Sequence, residues 1–331
     1  YLFSENLVDL SDLVTAAEEV QGGYYDWVTR SASVDGEWKS IPHGNSASVV
    51  AYRKSYFEEA GADTFPETWD ELFEVGKILK QEIGKPLGQA LGQSLGDPPG
   101  FAYPYMWAWG SQEVEEDGET LAFDTDQFRE GLEKFIQGWA DAFDETGLGW
   151  DDSTNNSAYL SDQISATQNG TSIYIAASNE EDENYNPELA EDTYHAPLPA
   201  GPAGRFATLG SRSIGVMDYS DNQDEAKAFL EWWFSTEQFQ SWLEAYEGYI
   251  LPPGPAFTEL DVYTADPKLA PYIEVPDIAR NKGWAGPANL KAAQVSSQYV
   301  IVNTFAEAIQ SGDAGAAVDT ATAHLQRIYS R

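Results

Sequence analysis

Between Gly96 and Gly110 the chain reads Gly-Asp-Pro-Pro-Gly-Phe-Ala-Tyr-Pro-Tyr-Met-Trp-Ala-Trp-Gly, with aromatic residues at 101, 103, 105, 107 and 109. As a strand, all five rings would share one face. As a helix, Tyr103 and Trp107 form one i, i+4 stripe, and Phe101, Tyr105 and Trp109 an adjoining one. Two prolines after an aspartate suit a helix start, so the segment is expected to be a helix from near Gly100, with Asp97 as its cap. Such a surface can serve as core, as a partner patch, or as a platform for a flat ligand. The rest of the chain must build either a core or a cleft around it.

The 331 residues exceed one ordinary domain, and a hydrophobic content of 42% supports more than one core. Fifty-five acidic against 18 basic residues give a net charge of −37. That balance excludes nucleic acid as a partner, which would need a basic face. It fits an acidic extracellular protein or a saline habitat, where salt screens carboxylate repulsion. The absence of cysteine excludes disulfides and thiol chemistry, and three scattered histidines disfavour a histidine metal site. No cofactor is implied. No run approaches the ~18 apolar residues of a membrane span.

Helical stripes and caps alternate with short apolar runs along the chain. Helices are expected near 11–20, 54–60, 68–83, 126–145, 157–168, 220–233, 235–247, 289–311 and 314–329. Strands are expected near 37–41, 48–52, 87–95, 171–176 and 207–217. Thr68 with Glu71 has the reciprocal spacing of a capping box, and Ser235 with Gln238 repeats it. Residues 180–191 read as an exposed acidic loop. The order is mixed α/β. Segments near 41–50, 197–208 and 247–256 read as crossings between lobes, and a cleft between lobes is a favoured small-molecule site.

Residues suited to a sugar cluster at the loops. Sugars offer hydroxyls at the edge and an apolar C–H face, so they require short polar side chains and an aromatic ring beneath. The candidates are His43, Asn45, Asp97, Tyr103, Trp107, Trp150, Asp151, Tyr174, Ser211, Arg212, Trp284 and Tyr299. Of the aromatic run, Tyr103 and Trp107 are expected to face solute, and Phe101, Tyr105 and Trp109 to fill core. Asp151-Asp152 beside Trp150 also admits a hydrolase reading, in which one carboxylate belongs to a glycosidase pair. No nucleophile elbow, zinc-protease motif, dinucleotide fingerprint or phosphate loop is present.

Ser40-Ile-Pro-His-Gly-Asn-Ser-Ala-Ser-Val-Val-Ala-Tyr-Arg-Lys-Ser-Tyr-Phe57, followed by Pro66-Glu-Thr-Trp-Asp-Glu-Leu72, resembles the family 1 extracellular solute-binding proteins. These are the maltose-binding-protein-like, sugar-capturing subunits of ABC importers. The resemblance continues through 88–110, 148–156, 169–174, 199–205, 224–230 and 283–287 into the closing helices. It implies an α/β periplasmic-binding-protein type II fold: two α/β lobes joined by a multi-strand hinge. Residues 1–41 with 210–248 would form one lobe, and 51–204 with 257–331 the other. The hinge would cross near 42–50, 205–209 and 249–256. Relatives begin with a strand–helix–strand section that has no counterpart here, so the first lobe is expected to lack that section. The implied partners are a mono- or oligosaccharide and the membrane subunits of an ABC importer. The protein would be a monomer outside the cytoplasmic membrane, anchored or free. A receptor for a polyol or a phosphorylated solute is the other reading of the same fold; the single cation proposed for the cleft, Arg212, weighs against phosphate.

Overall fold

The computed structural model describes residues 4–34 and 37–330. Two main bodies of core draw on separate stretches of the chain. The larger is built on Val50, Trp69, the run 101–109, Phe135 and the closing helices to Tyr329. The smaller gathers Leu10, Val14, Ile41, Val216, Leu230, Phe239, Ile250 and Phe257.

A four-stranded sheet lies in the larger body, in the order Leu87–Gly88, Ala166–Asn169, Val49–Arg53, Thr193–Ala196. Val49–Arg53 is antiparallel to both its neighbours, and Val50 stands opposite Gln168 and Ala196. Its Val-Val-Ala-Tyr run has the β-branched, apolar character of a strand covered on both faces. A three-stranded sheet runs between the two bodies. Ile41–Ala47 pairs antiparallel with Ala207–Ile214, which pairs in parallel with Ala279–Arg280. Asn45 also forms a bridge with Leu251. Chain segments near 45, 210, 251 and 279 therefore meet in one ladder.

The helix Asp97–Ala108 is the axis of the larger core. Every residue from Pro98 to Ala108 is buried. A helix apolar on all sides belongs inside a protein rather than at its surface. Trp69 packs on Phe101 and Tyr105 at centroid distances of 5.5 and 4.8 Å, and Phe305 meets Tyr105 at 5.6 Å. The Tyr105 hydroxyl donates to the carbonyl of Gly131 at 2.7 Å. A Cβ at Gly131 would stand 2.3 Å from the Trp109 ring, so helix Asp126–Ala142 reaches its close approach through that glycine.

The Thr68–Glu71 capping box forms as expected on helix Trp69–Ile78. Other expectations are corrected. Ser235 makes no side-chain cap bond; its hydroxyl turns back to the carbonyl of Trp232. Of the strand expected over 171–176, residues 172–176 are helical, within Ser172–Ser178, and the strand lies just before, at Ala166–Asn169. The acidic stretch contains helix Pro187–Asp192, capped by Asn186. The helix expected over 289–311 is two, Leu290–Ser297 and Val300–Ser311, broken at Tyr299. The helix Ala314–Tyr329 closes the described chain against the larger core.

Candidate functional site

The polar wall starts from the first turn of helix Asp97–Ala108. Its N-cap position is Gly96, and the cap is supplied from another loop. Asp152 Oδ1 accepts from the Asp97 N–H at 2.8 Å and the Ser94 hydroxyl at 2.7 Å, and Oδ2 accepts from the Gly96 N–H at 3.1 Å. A carboxylate there meets otherwise orphaned amides and the positive end of the helix dipole. The Asp97 side chain is thereby freed to point elsewhere. Its Oδ2 accepts from Asn155 Nδ2 at 2.8 Å and Asn169 Nδ2 at 3.3 Å. Asn169 also donates to Asn156 Oδ1, and its own Oδ1 accepts from the Gly170 N–H and the Ser172 hydroxyl. Burial, with the Asp152 charge adding to it and the Asn155 bond opposing it, pushes the Asp97 carboxyl up to about 7. Strand Ala166–Asn169, helix Thr154–Leu160 and helix Asp97–Ala108 thus converge their ends on one cluster of amides and a carboxyl group.

Lys282 stands next to this wall. Its Nζ lies 3.5 Å from the carbonyl of Leu95, and the charges of Glu113 and Asp152 act on it. Beyond Lys282 opens a cavity of about 300 Å³ lined by Ser31, Ser211, Arg280, Asn281, Lys282 and Asn289, among others. The Ser31 and Ser211 hydroxyls meet at 3.3 Å across its edge.

A polar cleft flanked by a hinge-like strand ladder is the geometry of a solute trap. The sequence model of the bacterial extracellular solute-binding proteins matches residues 4–271. The chain belongs to that family. A Brucella abortus binding protein is 25% identical over 293 residues, covering 86% of this chain and 68% of the relative. The arabinooligosaccharide-binding protein of Halalkalibacterium halodurans is 28% identical over 202 residues, 59% of this chain and 43% of that protein. Among solved structures, maltose-bound MalE3 of T. maritima superposes with a TM-score of 0.80 at 21% identity, covering 98% of this chain and 81% of that one. The fold is the two-lobe α/β fold of these proteins.

Within this solute-binding protein, several residues proposed from sequence are held in the core or in structural contacts. Tyr103 and Trp107 are each 1% exposed and belong to the core with the other three rings. The expectation that they face solute is corrected: their helix is enclosed on every side, so no stripe of it remains open. Trp150 is likewise core, packed with Ala90, Tyr159 and Ile164. Asp151 Oδ1 accepts from the N–H and hydroxyl of both Ser153 and Thr154, capping the next helix. Those bonds hold its carboxyl well below the usual range, which suits a cap and not a general acid. The Asn45 amide donates to the carbonyl of Pro252 while its backbone pairs with Leu251, so it ties the crossings together. His43 sits at a bulge in its strand with its ring 5.2 Å from Trp242, and burial pulls its pKa down. The Tyr174 hydroxyl donates to Asp266.

Ser211 lines the cavity and Asp97 stands in the polar wall, whereas Trp284 and Tyr299 pack, partly buried, against the larger core. Arg212, next to Ser211 on an extended strand, points to the opposite face, where its guanidinium lies 5.7 Å from the Tyr249 ring. The Arg30 and Arg280 guanidiniums lie 4.8 and 4.9 Å from the Trp284 ring centroid. Tyr299 has a left-handed backbone, φ 55°, sparsely populated for a bulky residue. Sequence reasoning passed over Asn155, Asn169, Arg280 and Lys282, and named Asp152 only beside Asp151 in the hydrolase reading. In the fold Gly96 faces Asp152: a Cβ there would stand 2.9 Å from the carboxylate.

Proposed function

We propose that this solute-binding protein is the non-enzymatic receptor of an ABC importer and that its solute is a carbohydrate, captured where the Asp97 cluster meets the strand ladder. The observation that carries the reading is the wall of Asp97, Asn155, Asn156 and Asn169. Buried Asn155 and Asn169 hold the partly exposed Asp97 carboxyl and Asn156 amide at one place, and short carboxyl and amide groups pair well with vicinal hydroxyls. The ladder through Asn45, Ser211 and Leu251 supplies a hinge, with crossings near 42–50, 205–209 and 249–256. Rotation about it would enclose the solute, and the closed form would dock on the membrane subunits. The residues proposed to touch solute are Asp97, Ser211, Trp284 and Tyr299, joined by Asn156 and Lys282. Names of the relatives agree: one binds arabinooligosaccharides and one holds maltose.

The test is a thermal-shift screen against mono- and oligosaccharides, followed by calorimetry on the hits. A ligand that binds only the folded state raises the melting temperature. A panel that leaves it unchanged would overturn the carbohydrate reading. Release of reducing ends from any bound oligosaccharide would overturn the receptor reading in favour of a hydrolase.

A further inference from the structure

The cavity beside the Asp97 cluster has a charge opposite to that of the molecule. The chain carries three acidic residues for each basic one, yet no residue lining this cavity is acidic, and Arg280 and Lys282 both line it. Neither forms an ion pair among the described residues. Arg280 is half-buried, its guanidinium 3.7 Å from the Phe206 ring and 4.9 Å from that of Trp284. Those rings hold the planar group in place and leave its charge uncompensated. Two carboxylates act on Lys282, and both are committed elsewhere. Glu113 accepts from Gly283 and Tyr329, and Asp152 caps the helix at Asp97. Lys282 donates only to the Leu95 carbonyl, at 3.5 Å, and a partly desolvated cation without an ion-pair partner is costly to keep unless something pairs with it. In a molecule whose net charge repels anions, such a pair also provides local attraction where an anionic solute must enter. Asn281, on the same wall, has a buried Oδ1 with no donor among the described residues, which suits a hydroxyl.

Resting on the carbohydrate reading above, we infer that the solute is an anionic sugar, with its carboxylate or phosphate group held between Arg280 and Lys282 and its hydroxyls met by Asn281, Ser211 and the Asp97 cluster. This differs from the expectation drawn from Arg212 alone. That arginine faces away, and the cations that matter lie 68 and 70 residues further along the chain, brought alongside Ser211 by the parallel pairing of Ala279–Arg280 with Ala207–Thr208. Charge-assisted bonds are roughly twice as strong as neutral ones, so the anionic group should account for at least about a tenfold gain in affinity over its neutral parent.

The experiment compares glucuronate, glucose 6-phosphate and glucose, with their oligomers where available, by calorimetry at low and high salt on the wild type, Arg280→Gln and Lys282→Gln. The expected result is that one anionic probe binds at least about tenfold tighter than its neutral parent at low salt, that salt erodes the advantage, and that either variant reduces it to within about twofold. The carboxylate and phosphate arms show which anion is taken. Circular dichroism checks that each variant folds, and either one alone suffices for the comparison. Equal affinity for neutral and anionic probes would overturn the inference and leave the carbohydrate reading standing, as would an anion preference that survives both substitutions. Binding of neither class would overturn both.

Discussion

The Tyr329 hydroxyl, two residues from the end of the chain, donates to Oε2 of Glu113 at 3.1 Å in the interior of the larger lobe. Oε1 of the same carboxylate accepts from the Gly283 N–H at 3.0 Å, and the Glu113 N–H donates to the Trp284 carbonyl. One fully buried side chain therefore fastens the Trp284 loop to the closing helix. Burial pushes its carboxyl up to about 7, against these hydrogen bonds, which favour the charged form.

That shift has a direction in stability. A carboxyl whose folded pKa lies above its unfolded one stabilises most below the unfolded value, about 4.5, and loses that contribution as pH rises through about 7. Glu113→Gln should therefore become more stable relative to wild type on going from about pH 5 to about pH 8, by about 1–3 kcal/mol. Urea melts of both proteins at the two pH values check this. A difference that stays constant would show that Glu113 does not titrate in this window.

Asp97 carries the same sign with a readout at the ligand. Its carboxyl is pushed up to about 7, so it gains charge over the neutral range. Sugar affinity is expected to change with pH in this range, and Asp97→Ala should abolish that dependence. The substitution should also cost about 1–3 kcal/mol of stability, because the buried Asn155 amide loses the shortest of its hydrogen bonds and Asn169 loses one as well. A pH profile identical in wild type and variant would separate Asp97 from the solute.

Removing the cap tests how the site is held. Asp152→Ala leaves the Ser94 hydroxyl and the Gly96 and Asp97 amides without their acceptor, and should destabilise by about 1–2 kcal/mol. Sugar affinity should fall with it, since Asp97 is set in place by those bonds. A lower melting temperature with unchanged affinity would confine Asp152 to a structural role.

Trp284→Ala and Trp107→Ala should behave oppositely. Loss of the Trp284 ring is expected to weaken sugar binding by about 1–3 kcal/mol through lost apolar contact. Loss of Trp107, sealed in the core, should lower stability by about 3–5 kcal/mol and leave the affinity of the folded protein unchanged. Calorimetry paired with denaturant melts distinguishes them; unchanged affinity in Trp284→Ala would take that ring out of the site.

Local chemistry made much of the architecture legible. The Thr68–Glu71 box forms as spaced because both partners lie within one turn. Apolar strand Val49–Arg53 and the closing helix Ala314–Tyr329 likewise match their patterns, since a continuous apolar run reads as a strand buried on both faces and a helical stripe as a helix buried on one. The ordered motifs across the chain sufficed for its family. Tertiary structure decided the rest. Whether Tyr103 and Trp107 met solute or core depended on how many elements enclosed their helix, which periodicity within that helix does not encode. Asp97 was released from capping by Asp152, 55 residues away, and Arg280 was set beside Ser211 by a parallel strand pairing. A binding site joins groups distant in sequence, and their meeting is fixed by the packing of whole elements. For the aromatic run at 101–109, residue type called for a covering surface of some kind, and only the packed lobe determined that core covers all five rings.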